Sequence, residues 1–153
     1  MKVQQLDLDL DRFKLPNINQ LFSQHYYRRN KTKSEIETLL GIFFKRDLQA
    51  VDQYPLNIYF EWWNRHKRID PDNQAGAGQK VILDALQGCG IIAGDGCKHI
   101  SGLYHSFYYD DQEESLLRIR LVEGQYDEGN SGHGSLFDGR SVGADNGFGL
   151  DVD

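Results

Sequence analysis

The sequence predicts an α+β fold: a single domain in which a mixed or antiparallel sheet is packed with two main helices. Three observations predict it. Apolar residues alternate with polar ones, as in a half-buried strand, at Leu6, Leu8 and Leu10, at Leu56, Ile58, Phe60 and Trp62, and at Leu117, Ile119 and Leu121. Two stretches, Ile36 to Phe43 and Val81 to Leu86, carry apolar residues at helical spacing instead. A length of 153 residues suits one hydrophobic core.

The elements follow in order. Val3 to Leu10 reads as a strand, which Leu15-Pro16-Asn17 breaks. A polar, basic loop from His25 to Lys33 leads to a helix beginning at about Ser34. Ser34 is its N-cap, Glu35 and Glu37 suit the first turn, and Ile36, Leu39, Leu40 and Phe43 form the apolar face. Leu56 to Asn64 is the clearest strand, and a polar loop from His66 carries Asp70-Pro71-Asp72-Asn73. Asn73 to Leu86 is the second helix, ended by Gly88 and Gly90. Within it Gly76 and Gly78 each cost about 1 kcal/mol relative to alanine, so a close contact is expected there. After Ile91-Ile92 and the turn Gly94-Asp95-Gly96 come strands at Ser101 to Tyr109 and Ser115 to Glu123. They are expected to form an antiparallel hairpin through Asp110 to Glu114.

Two segments differ in character. Residues 1–123 form the expected folded domain, and residues 124–153 hold 8 of the 16 glycines without apolar periodicity, which reads as a disordered acidic tail. The tail carries six acids against Arg140 alone, so a net charge of −6 leaves the body near neutral, with 17 acids and 16 bases. Charge therefore neither requires nor excludes nucleic acid. No apolar run approaches the roughly 18–20 residues of a membrane-spanning helix, and no signal peptide is evident. With only Cys89 and Cys97, no disulfide framework is expected. A cytoplasmic location follows as an expectation.

Asp70-Pro71-Asp72-Asn73 follows a strand and opens a helix. Two carboxylates held close tolerate folding best with a cation between them, and hard oxygen ligands favour Mg²⁺ or Mn²⁺. The same tetrapeptide is also ordinary turn and N-cap chemistry. Arg28, Arg29, Lys31 and Lys33 form one basic cluster, and Arg65, Lys67 and Arg68 another that abuts Asp70; Lys98 follows Asp95. Such groups suit phosphate contacts, with Tyr26 and Tyr27 placed to stack on bases. Asp84 lies one helical turn beyond Lys80, where the two pair. Cys89, Cys97, His99 and His105 do not follow zinc-site spacing.

The run Asp70-Pro-Asp72-Asn73, then Lys80-Val-Ile-Leu-Asp84-Ala-Leu, then Gly90-Ile-Ile-Ala-Gly-Asp95 resembles the RusA family of Holliday junction resolvases. The match is specific from about Arg68 to Ile100 and looser from Leu15 to Lys45. The resemblance implies a RusA-like fold and a homodimer that cuts branched DNA. It implies that Asp70, Asp72 and Asp95 hold Mg²⁺ or Mn²⁺, that Lys80 stabilises charge on the phosphate, and that Asn73 and Asp84 support them. Lys80 stands four residues further from Asp70 than in many members, one helical turn, and is expected to reach back toward the helix start. Two rivals remain: a non-catalytic DNA-binding or partner-binding prophage protein that keeps the fold, and a structural Ca²⁺ site.

Overall fold

The structure, a computed structural model, describes residues 2–16 and 26–124, with residues 26–30 as backbone only. The expected tail therefore lies outside the described residues, apart from Gly124. The elements are β1 (Val3–Asp9), α1 (Tyr26–Asp47), β2 (Leu56–Asn64), α2 (Pro71–Gly88), β3 (Ile100–Tyr109) and β4 (Leu116–Glu123). They make the expected α+β domain, a mixed four-stranded sheet with two helices.

The sheet order is β1-β4-β2-β3. β4 lies antiparallel between β1 and β2, and β3 lies parallel to β2 on its other side. The expected β3–β4 hairpin is thus corrected: β2 separates the two strands. The reason lies in burial. β4 offers Leu117, Ile119 and Leu121 to the core and needs a strand on each side, where β1 supplies Leu6 and Leu8 and β2 supplies Leu56 to Trp62. The Asp110–Ser115 connection instead passes over the end of β2. There the Asp110 amide donates to the Asn64 carbonyl at 3.0 Å, and the Arg65 amide to Ser115 Oγ at 3.3 Å.

Both helices cover the face formed by those apolar side chains, with Leu40 and Phe44 of α1 and Val81, Ile82 and Leu86 of α2 in one core. α1 starts at Tyr26, eight residues before the Ser34 cap expected from sequence. Ser34 lies inside it, and its carbonyl accepts from Thr38 Oγ1 at 2.8 Å. The Lys31–Lys33 part of the first basic cluster is therefore helical rather than loop.

α2 runs back along β2 toward that strand's start. Gly78 makes this approach possible: a Cβ there would lie 2.5 Å from Trp62 Cη2, so the contact expected from the glycines is real. Beyond α2 the chain turns through Gly90, at φ 81°, and ties itself to the start of β2. The Val51 amide donates to the Ile91 carbonyl at 2.8 Å, and the Leu56 amide to the His99 carbonyl at 2.8 Å.

Candidate functional site

Asp70 is the N-cap of α2. Its backbone is extended (φ −83°, ψ 112°), as the following Pro71 favours, and that proline occupies the helical position where a missing N–H costs nothing. Asp70 Oδ1 accepts from the Asp72 amide at 3.1 Å and Oδ2 from Asn73 Nδ2 at 3.1 Å. Both carboxylates are exposed. The Asn73 amide thus holds the Asp70 carboxylate in place.

The loop is tied to the sheet by a closed amide pair. Asn64 Nδ2 donates to Gln74 Oε1 at 3.0 Å, and Gln74 Nε2 donates back to Asn64 Oδ1 at 2.8 Å. Asn64 is buried at the end of β2, so this pair fixes where α2 begins. Beside it opens a cavity of about 640 Å³ lined by Asp11, Lys14, Asn64, Arg68, Asp70 and Asn73, among others. Asp11 binds the Ser115 amide at 3.2 Å and faces Arg65 at 3.7 Å. The cavity thus has acidic, amide and cationic groups on one rim, at the C-terminal ends of β1 and β2.

Lys80 does not reach this rim. Its Nζ binds Asp84 Oδ1 at 3.0 Å, one turn toward the helix C-terminus, and the ten residues from Asp70 correspond to about 15 Å of helix rise. Asp84 also accepts from Lys33 Nζ at 2.7 Å, which joins α1 to α2, and Lys33 meets Glu37 at 3.1 Å. Burial pushes the Asp84 carboxyl up, but hydrogen bonds from Lys33 and Lys80 outweigh it and hold it below the usual aspartate value. Asp84 therefore pairs with Lys80 and directs it away from Asp70. The Lys33–Asp84 bond raises the Lys33 ammonium above its usual value, and Lys33 is engaged within the fold.

Asp95 lies at the opposite end of the domain. Its loop belongs with the start of β2, where the Ala93 amide donates to Tyr54 Oη at 2.8 Å and His99 packs edge-on against Tyr54 at 5.0 Å. Asp70 precedes α2 and Asp95 follows it, and an 18-residue helix spans about 27 Å. Among the described residues no group of three His, Cys, Asp or Glu side chains is placed to hold a metal ion. One copy of the chain thus has Asp70 and Asp72 at the start of α2 and Asp95 beyond its far end.

The basic residues divide in the same way. Arg65, Lys67 and Arg68 are exposed beside Asp70, with Lys67 over the Tyr109 ring at 5.9 Å. Lys98 is exposed at the Asp95 end, and Lys31 is exposed on α1. The Arg28 and Arg29 side chains lie outside the described residues, as do those of Tyr26 and Tyr27.

One feature of the interior was not foreseen. Trp62 Nε1 donates to His105 Nδ1 at 2.9 Å, which leaves Nε2 as the protonated nitrogen that meets Gln79 Oε1 at 2.6 Å. Burial lowers the His105 pKa, consistent with this neutral form. Both ring nitrogens are engaged, so His105 is occupied structurally. Compared with known families and with curated proteins, the chain matches none.

Proposed function

We propose that this chain is a metal-dependent endonuclease acting on branched DNA. The observation that carries the reading is the exposed Asp70, held by an N-cap beside exposed Asp72 and lining a cavity with Lys14 and Arg68, where Arg65 faces Asp11 of the same lining. Exposed carboxylates beside a basic rim suit a phosphodiester whose charge is balanced by a divalent cation. A bound Mg²⁺ or Mn²⁺ would supply Lewis acidity and a hydroxide near neutral pH. Arg65, Lys67 and Arg68 would position the DNA backbone.

Asp95 joins this site only if two copies meet. A two-fold axis that runs two α2 helices antiparallel sets the Asp95 end of one copy against the Asp70 end of the other. A four-way junction is itself nearly two-fold symmetric, and paired incisions need two such sites. The homodimer is therefore part of the proposal. Lys80, held by Asp84, sits along the helix face as a contact for DNA phosphate.

The test is cleavage of synthetic four-way and linear DNA in Mg²⁺. The expected outcome is cutting of the junction by the wild type and at least ~10²-fold slower cutting by Asp72→Asn, with junction binding retained. Binding without cleavage by the wild type would favour the non-catalytic DNA-binding reading instead.

A further inference from the structure

One wall of the cavity beside Asp70 is apolar, formed by Leu10, Leu15, Pro16 and Ile69. Leu10 and Leu15 back onto the hydrophobic core, whereas Ile69 is 38% exposed. The volume of about 640 Å³ falls within the roughly 300–1,000 Å³ usual for sites that take a small organic molecule. Such sites combine apolar walls with a few polar groups that fix orientation.

The charged groups of the lining are unequally committed. Asp70 accepts from the Asp72 amide and from Asn73, and Asp11 accepts from the Ser115 amide and faces Arg65. Lys14 and Arg68 are exposed, and among the described residues neither has a carboxylate within ion-pair distance. What remains to meet a ligand is therefore positive. The backbone at Lys14 is held on both sides. Asp9 closes the turn before it, accepting from the amides of Asp11 at 2.9 Å and Arg12 at 3.2 Å. Phe13 packs edge-on against Phe43 of α1 at 6.1 Å between ring centroids, and Leu15 packs on the core. The Asn64–Gln74 pair adds neutral polar groups: each amide uses one N–H and one carbonyl lone pair on the other and keeps one of each.

We infer that this cavity takes one unstacked nucleotide of a DNA strand, its phosphate on Lys14 and Arg68 and its base against the wall of Leu10, Leu15 and Ile69. That the nucleotide belongs to DNA rests on the nuclease reading; that it is a nucleotide rests on the lining. Two uncommitted cations suit a phosphate. A bare phosphate would leave the apolar wall facing water, and an apolar ligand would leave both cations without a partner. A nucleotide meets both halves of the lining. Gln74, the less buried of the amide pair, keeps an N–H and a carbonyl lone pair, the donor and acceptor that side-chain amides offer to a base edge. A base in the cavity has left its stack, and the cost of that is least where pairing is already broken. The cavity therefore favours DNA at a branch or a mismatch over continuous duplex, a preference that the Asp70 and Asp72 carboxylates alone do not supply.

The test follows the side-chain amide NMR signals of Asn64 and Gln74 in the full chain, in metal-free buffer, with thymidine monophosphate as the probe. The monophosphate should shift both sets of signals. Inorganic phosphate and thymidine, each carrying half of the ligand, should bind at least ~5-fold more weakly. Lys14→Ala and Arg68→Ala, both at exposed positions, should fold normally and each weaken binding at least ~5-fold, as expected for a lost charge-assisted hydrogen bond. Lys45→Ala, in the last turn of α1, should bind as the wild type does. Four-way junction binding by Lys14→Ala should show a salt slope lower by about one. Amide signals that do not move, or inorganic phosphate that binds as tightly as the monophosphate, overturn the inference. So does a Lys14→Ala variant that binds the monophosphate like the wild type. Monophosphate binding without Mg²⁺-dependent junction cleavage upholds the pocket and removes the nuclease reading, while cleavage by a chain whose amide signals stay fixed does the reverse.

Discussion

Trp62 shows how a single residue organises this domain. Its ring lies against Gly78 of α2, and its Nε1 donates to His105 on the neighbouring strand. His105 stacks on Phe60 at 4.6 Å between ring centroids. Protonating His105 would put a hydrogen on Nδ1, facing the indole N–H, and the bond would be lost. Its pKa is lowered by burial, so the unfolded chain takes up the proton first as pH falls. Stability is therefore expected to decline below the ordinary histidine pKa of about 6.5 and to level off below the lowered folded value. Urea-unfolding midpoints between pH 5 and pH 8 should show this slope in the wild type and a shallower one in His105→Gln. Equal slopes would mean that His105 does not titrate on unfolding. At this scale the sequence was partly legible. Trp62 falls on the apolar parity of its strand, but nothing in a one-dimensional pattern pairs His105 with it across 43 residues. The Asn64–Gln74 amide pair was hidden for the same reason, since each residue alone is ordinary surface chemistry.

Among the elements, β2 was legible to its ends because it is buried on one face throughout its length and alternates without exception. The start of α1 was not. Ser34 looks like a cap, yet the polar Tyr26–Lys33 stretch lacks the apolar period that would mark it as helix. The β3–β4 hairpin failed because a short loop between two strands usually joins neighbours, and only the demand of β4 for two apolar flanks separates them. The glycines of α2 were informative because their helix-propensity cost calls for a reason. Gly78 has one: Trp62 is pinned by His105 and cannot retreat from a Cβ 2.5 Å away. Gly78→Ala should therefore destabilise the domain by up to about 2 kcal/mol, an overpacking cost of about 1–3 kcal/mol less about 1 kcal/mol of helix propensity. Gly76→Ala, at an exposed position of the same helix, should stabilise by up to about 1 kcal/mol. Thermal melts of both variants check the pair, and a Gly78→Ala variant as stable as Gly76→Ala would mean that the helix does not press on Trp62.

At the scale of the whole molecule, the sequence singles out three aspartates as candidates but not where the fold puts them. Asp70, Asp72 and Asp95 stand close in sequence pattern, yet α2 carries the chain the length of the domain between them. Within the nuclease reading, a shared site predicts a complementation that a site within one chain cannot give. Asp70→Asn and Asp95→Asn should each abolish Mn²⁺ binding in the homodimer, because each disrupts both sites. When the two variants are mixed and allowed to exchange, a mixed dimer holds one site with both defects and one site with neither. Random exchange makes half the dimers mixed, so about a quarter of the wild-type sites should return. Titration calorimetry with Mn²⁺ reads this directly, and junction cleavage by the mixture reads it independently. Saturating Mn²⁺ should also stabilise the wild-type dimer, by about 2.7 kcal/mol at a hundred times the dissociation constant. If both variants are inactive and their mixture recovers nothing while exchange is shown to occur, then Asp70 and Asp95 do not complete one site across two copies. The two ends of α2 would then carry separate roles.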